Sequence, residues 1–254
     1  MLLLIDIGNT RIKWARFDAG IMGPQSAAVH ESWTPEHFVQ QILSSGPRAE
    51  RVLIANVGGK RLGELAKAAI ISTWQIEPQF LRSPAAQAGI RNAYPEPANL
   101  GVDRWLCLLG ARALEPRPVC VVSVGTAMTI DGLDAGGQHL GGVIVPGPDL
   151  MVSSLLKNTS DIAHRALGGQ ARDALFADNT LGAIQQGAVQ ALAALVERAL
   201  ETLEQQLGEP PVLLLTGGAA GRLQGAIRRA GREIPDLVLR GLAVVAAQAE
   251  SSAA

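Results

Sequence analysis

Residues 2–14 read LLLIDIGNTRIKW, an apolar strand that carries one carboxylate, Asp6, two residues before a Gly-Asn-Thr turn. An unpaired charge buried in such a strand costs several kcal/mol, so Asp6 needs a compensating group. Beyond the turn, RIKWARF (11–17) sets apolar Ile12, Trp14 and Ala15 among polar neighbours, and the whole segment reads as two strands joined at GNT. Arg11 and Lys13 alternate with Ile12 and so share one strand face. Taken alone, residues 6–13 fit a phosphate site and an ordinary hairpin with an edge carboxylate equally well.

The same theme restarts further on. VCVVSVGTAMTIDGLDAGG (119–137) is again strand, Gly-Thr turn, strand, and laying IDIGNT over VSVGTA aligns Gly8 with Gly125 and Asp6 with Ser123. Two copies of one strand–turn–strand unit predict an internally duplicated α/β architecture. The pattern breaks at EPRP (115–118), which sets the expected domains at 1–114 and 115–254.

Between the two units, TPEHFVQQILSS (34–45) predicts a helix with Thr34 as N-cap and Pro35 at its first position. RVLIANV (51–57) reads as a buried strand, GGKRLGELAKAAI (58–70) as a helix and EPQFLR (77–82) as a short strand. RNAYPEPANLGVDRW (91–105) has the turn chemistry of a loop and leads into a helix with Asp103 in its first turn. In the second half, HLGGVIVPG (139–147) reads as a strand, residues 180–207 as a long helix and PVLLLTGGA (211–219) as a strand entering a glycine turn. The basic stretch RLQGAIRRAGR (222–232) is spaced as the wet face of a helix.

A formal net charge of −1 argues against nucleic acid as a partner, which calls for a clustered basic surface. No segment approaches the roughly 20 apolar residues of a membrane span. MLLLI lacks a basic flank and a cleavage site, so no signal peptide is expected. Cys107 and Cys120 form neither a CxxC pair nor a metal set with the four histidines. Free buried thiols in a cytoplasmic protein without structural zinc are the expectation.

Several residues carry candidate chemistry. Gly8 lets the backbone approach a ligand, Asn9 and Thr10 add small polar groups, and Asp6 is placed to hold Mg²⁺ through water. Gly125 and Thr126 offer a backbone N–H and a hydroxyl to phosphate oxygens. The TGG at 216–218 marks a weaker strand–glycine–helix junction. There is no GxxxxGK[ST] and no GxGxxG, which removes P-loop and Rossmann readings. Asp103 and Arg104 fit an alcohol base beside an anion contact, or a helix-terminal acid beside a surface cation. Tyr94 fits a binding residue or a packing lid, Thr180 a binding residue or the N-cap of its helix, and Asn56 a cleft residue or a turn former.

DIGNTRIK (6–13), GVDRW (101–105), VGTAMTID (124–131) and GGVIVPG (141–147), in that order, resemble the type III pantothenate kinase family. The resemblance spans essentially the whole chain, and the Y…LGVDRW loop beside GTAMTID is its most specific part. It implies two ribonuclease-H-like domains of the acetate and sugar kinase, Hsp70 and actin superfamily, with a nucleotide cleft between them. It implies ATP phosphates bound by Asp6, Ile7, Gly8, Asn9, Thr10, Arg11, Ile12, Lys13 and Thr126. Tyr94, Gly101, Val102, Asp103, Arg104 and Thr180 would line the pantothenate site, with Asp103 the general base.

The implied reaction is ATP-dependent phosphorylation of pantothenate to 4′-phosphopantothenate, the first step of coenzyme A synthesis. Mg²⁺ and a monovalent cation, K⁺ or NH₄⁺, are the implied cofactors. The implied assembly is a homodimer with the substrate pocket at its interface. Many family members carry Asp where this chain has Ser123, so a weakened monovalent-cation requirement is expected. Two rivals are a different small-molecule kinase of the superfamily and a non-catalytic regulatory factor. The first would keep Asp6 and change the acceptor residues; the second predicts decayed catalytic positions.

Overall fold

The computed structural model describes residues 1–167 and 175–251. By contacts, these form two compact units: residues 1–116 with 136–139 and the segment from Asp236, and residues 117–135 with 140–235.

The first unit is built on β1 (Leu2–Ile7), a six-residue strand buried along its whole length. It pairs antiparallel with β2 (Arg11–Asp18), which also carries β3 (Ile21–Met22) and β4 (Ser26–Val29). A helical turn, α1 (Pro35–Phe38), leads to β5 (Arg51–Asn56), which pairs parallel with β1 on its other side. After α2 (Lys60–Trp74), β6 (Gln79–Phe80) closes the sheet in the order β3-β2-β1-β5-β6. A small hairpin of β7 (Ala86–Gln87) and β8 (Ile90–Arg91) precedes α3 (Val102–Leu114).

Alternation along β1 sends Leu3, Ile5 and Ile7 into a core with Phe38, Ile42 and the α2 residues Leu62, Ala66, Ile70 and Trp74. Leu2, Leu4 and Asp6 therefore face the opposite side of the sheet. That side is where the C-terminal helix and α3 pack.

The second unit repeats the plan. β9 (Val119–Val124) pairs antiparallel with β10 (Ala127–Leu133), which pairs with β11 (His139–Pro146). Helices α4 (Pro148–Asn158), α5 (Ser160–Arg165) and α6 (Thr180–Leu207) follow, then β12 (Val212–Thr216), parallel to β9 on its free side. After α7 (Ala220–Gln224), β13 (Arg232–Glu233) completes the order β11-β10-β9-β12-β13. Leu192, Val196 and Leu200, one α6 face at four-residue steps, cover Cys120, Val122 and Val124.

The helix expected over 34–45 is present from Pro35 to Leu43, with Thr34 as its N-cap and Pro35 in its first turn; its second half, Val39–Leu43, widens to π-type geometry and brings Ile42 and Leu43 into the core behind Phe38. Two expectations need correction. The second half does not run unbroken to the C-terminus: α8 (Leu237–Ser251) belongs to the first unit and packs on α3 and β1. The two helices meet at Gly110 and Gly241, where a Cβ at Gly241 would lie 2.0 Å from the Leu106 carbonyl.

The second correction concerns residues 222–232, which are not one helix. α7 stops at Gln224 with Gly225 as its cap. Beyond it, Glu197 accepts the backbone N–H of Arg228 at 2.6 Å, and the Arg229 guanidinium pairs with Glu204 at 2.6 Å.

Candidate active site

The β1–β2 register runs through Ile7 opposite Ile12, so Gly8–Arg11 form the connecting turn, closed by Gly8 N–H to Arg11 O at 3.0 Å. Asp6 stands directly opposite Lys13, which places both side chains on one face of the hairpin. Asn9, Thr10 and Arg11 are exposed, whereas the side chains of Ile7 and Ile12 are buried in the core. Those two isoleucines shape the hairpin from its core side.

The turn is braced from beneath. Ile7 O accepts N–H groups from Val57 and Gly58 at 2.9 and 3.0 Å. A Cβ on Gly58 would sit 2.6 Å from Gly8 O, so only glycine allows this approach. Asn56 forms the bend that delivers Gly58: its Oδ1 accepts from Gly58 N–H at 3.0 Å and its Nδ2 donates to Gly59 O at 3.1 Å. Of its two readings, the turn former is the one observed.

Asp6 is only 8% exposed. Burial pushes its carboxyl up to about 7, Lys13 opposes that rise and the charge of Asp103 adds to it. A buried carboxylate that feels the charge of a second one is a setting that a divalent cation relieves. Among the described residues no group of three or more His, Cys, Asp or Glu forms a metal cage. Mg²⁺ is commonly held by one or two carboxylates plus phosphate and water.

The loop before α3 is organised by Asn92, whose Nδ2 donates to Pro84 O and Pro97 O, each at 3.2 Å, while its Oδ1 accepts from Tyr94 N–H at 3.0 Å. The Tyr94 ring stacks on buried His139, with centroids 6.2 Å apart and planes at 14°. Its hydroxyl accepts from Arg104 Nη1 at 3.1 Å, and the guanidinium lies 5.8 Å from the ring centroid. Arg104 is 5% exposed, so it is a fixed buried cation and not the surface cation of the alternative reading. Gly101 precedes α3, and a Cβ there would lie 2.7 Å from Asp103 Oδ1. Glycine thus makes room for the Asp103 carboxylate at the helix start, with Val102 buried behind it.

In the second unit, Gly125 N–H bonds to Ala127 O at 2.9 Å, and Gly125 and Thr126 are exposed. Gly147, from GGVIVPG, donates to Thr126 O at 2.8 Å and lies so close that a Cβ would be 2.0 Å from Gly125 O. Thr180 is the first residue of α6 and not its N-cap. The cap is Asn179, whose side chain accepts from Gly182 N–H at 2.8 Å. At the TGG junction, Gly217, at φ 93°, packs its backbone on Val124, and the five-residue helix α7 follows.

Asp6, Lys13, Tyr94, Asp103 and Arg104 thus share the first unit, whereas Gly125, Thr126 and Thr180 belong to the second. Sequence reasoning passed over Asn92, His139 and His30. Asn92 had a legible signal, an Asn two residues before a loop tyrosine; the histidines act through contacts distant in sequence.

The two mixed sheets, each with a central strand flanked by one antiparallel and one parallel neighbour, have the α/β fold of the actin-like ATPases. One solved structure with this fold, the activator of 2-hydroxyisocaproyl-CoA dehydratase from Clostridium difficile with bound ADPNP, aligns over 99% of this chain and 96% of its own. Its TM-score is 0.55 at 14% identity. The sequence profile of the type III pantothenate kinase family matches residues 2–202. The type III pantothenate kinase of Azoarcus sp. is 41% identical over 97% of this chain and 91% of its own. That of Nitrosococcus oceani is 37% identical over 97% and 94%. The chain belongs to the type III pantothenate kinase family.

Proposed function

We propose that the protein transfers the γ-phosphoryl group of ATP to the primary hydroxyl of pantothenate, using Asp6 to Lys13, Gly125 and Thr126 toward the phosphates. Tyr94, Gly101, Val102, Arg104 and Thr180 serve the acceptor. One observation carries this reading: buried Asp6 feels both Lys13, its cross-strand partner, and Asp103, from the acceptor side. In this reading the phosphate turn and the acceptor helix both act on one carboxylate.

Phosphoryl transfer needs the acceptor hydroxyl deprotonated as it attacks and the phosphate charge neutralised. Asp103 takes the hydroxyl proton. Lys13 and Arg11 supply positive charge, and Asn9 and Thr10 supply donors. Buried Arg104, locked onto Tyr94, presents a fixed cation to the pantothenate carboxylate or to phosphate oxygens. Asp6 would hold Mg²⁺, which supplies charge neutralisation on the phosphates when bound.

The monovalent cation, K⁺ or NH₄⁺, is a weaker requirement here because Ser123 brings no charge to it. The partner is a second copy of this chain, forming a homodimer with the acceptor pocket at its interface. Exposed Val143 and Ile144 on edge strand β11, with Leu150 and Leu155 on α4, support that pairing. A cytoplasmic location fits Cys107 and Cys120, buried thiols that form no disulfide, the latter with its thiol pushed up to about 12 by burial. Among the described residues no helix is long and apolar enough to cross a membrane.

The test is purified protein with ATP and Mg²⁺ against pantothenate, a panel of sugars and small carboxylic acids, with and without K⁺. Turnover confined to pantothenate is expected. Turnover on a sugar but not on pantothenate overturns the acceptor assignment.

A further inference from the structure

His30 lies just past the end of β4, with Val29 paired to Arg11, and it is 4% exposed. Its ring Nε2 sits 2.8 Å from Gly8 O. A carbonyl only accepts, so Nε2 carries the proton and donates. The backbone holds the ring in place: His30 N–H reaches Thr10 O at 3.4 Å, and Trp33 N–H donates to His30 O at 3.2 Å. The imidazole therefore grips the carbonyl of the turn glycine, while its own backbone grips the turn two residues later.

The consequence follows from peptide geometry. In a planar trans peptide the C=O of one residue and the N–H of the next point in opposite directions. Fixing Gly8 O inward, against His30, aims the Asn9 N–H outward to the exposed side of the turn. That N–H has no backbone acceptor among the described residues, and Asn9 itself is exposed. An outward N–H on a short exposed turn is an anion donor. Glycine at position 8 leaves this peptide plane free to rotate unless something holds it. Gly58 limits the space beneath Gly8 O, but a wall sets no direction. The directional hold is the His30 hydrogen bond.

We propose that His30 is a positioning residue for nucleotide phosphate: it locks the Gly8–Asn9 peptide so that the Asn9 N–H meets a phosphate oxygen of ATP. The inference rests on reading residues 6–13 as the phosphate site. It predicts an effect on the nucleotide side only, because His30 grips the phosphate turn and not the acceptor loop.

The test compares wild type, His30→Ala, His30→Phe and His30→Gln by steady-state kinetics and by calorimetric titration with ATP and Mg²⁺. Loss of one buried hydrogen bond to the turn should raise the KM for ATP about tenfold in the Ala and Phe variants. The KM for pantothenate should stay within about twofold, and Gln, whose side-chain amide can donate, should recover much of the loss. Melting curves on each variant separate misfolding from misplacement, since Phe fills the ring volume without the donor. Equal rises in both KM values, with Gln no better than Phe, overturn the proposal. If wild type binds ATP and His30→Ala binds it as tightly, only the His30 role falls. If wild type itself does not bind ATP with Mg²⁺, the phosphate-site reading falls and takes the proposal with it.

Discussion

The two strand–turn–strand units are the same scaffold with different chemistry. In each, a central buried strand has an antiparallel neighbour after the turn and a parallel neighbour on the other side: β2-β1-β5 in one, β10-β9-β12 in the other. In each, a later glycine lies against the backbone of the turn region, Gly58 on Gly8 and Gly217 on Val124. The register shows where they part. Asp6 faces Lys13 across the first hairpin, whereas Ser123 faces Thr129 across the second. Duplication preserved backbone geometry, which any ligand-approaching turn needs, and confined this charged cross-strand pair to the first unit.

The sharpest way to break this comparison is to neutralise each member of the aligned pair. Asp6→Asn should lower kcat by roughly 10²–10³-fold, the scale of losing one preorganised charge at a phosphoryl-transfer site. Ser123→Ala should stay within about threefold of wild type. Equal losses in the two variants would erase the asymmetry.

The same carboxylate predicts an effect on stability. The folded-state pKa of Asp6, about 7, lies above its ordinary 3.8, so the folded protein binds this proton more tightly than the unfolded chain. Its contribution to ligand-free stability is therefore full below pH about 4 and is lost as pH rises through about 7. Asp6→Asn does not suffer that loss. At pH 8 without metal or nucleotide, the variant should melt roughly 3–6 °C above wild type, and the gap should close toward pH 4. A gap independent of pH would show that Asp6 is not the titrating group.

The smallest expected effect restores charge to the second turn. Ser123→Asp should deepen activation by K⁺ by about two- to fivefold, read as the ratio of rates with and without the ion, because a carboxylate attracts a cation that a hydroxyl holds weakly. An unchanged ratio would remove Ser123 from the account of the monovalent ion.

The central strands were legible because LLLID and VCVVSV are continuous apolar runs beside glycine turns, and strands buried on both faces look like that. The candidate site was legible as far as its motifs reached: Asp6 and Arg104 put charge where burial makes it expensive, and Lys13 and Asp103 bear on Asp6. What stayed hidden depends on contacts distant in sequence. Nothing near Leu237 says that its helix returns to α3; that follows from two glycines, Gly110 and Gly241, meeting across the fold. Residues 222–232 looked helical by charge spacing, yet Gly225 ends the helix, Glu197 takes the Arg228 backbone N–H and Glu204 pairs with Arg229 beyond it. Thr180 was offered as a cap because it opens an apolar run, while the better capping side chain, Asn179, stood one residue earlier. His30 gave no signal, since its meaning lies in one hydrogen bond to Gly8.

The most direct test of the mechanism is the rate of 4′-phosphopantothenate formation by Asp103→Asn, measured alongside its affinity for ATP. The account predicts a kcat lower by about 10²–10⁴-fold, the usual contribution of a positioned general base, with ATP affinity close to wild type. Wild-type turnover by Asp103→Asn would contradict it.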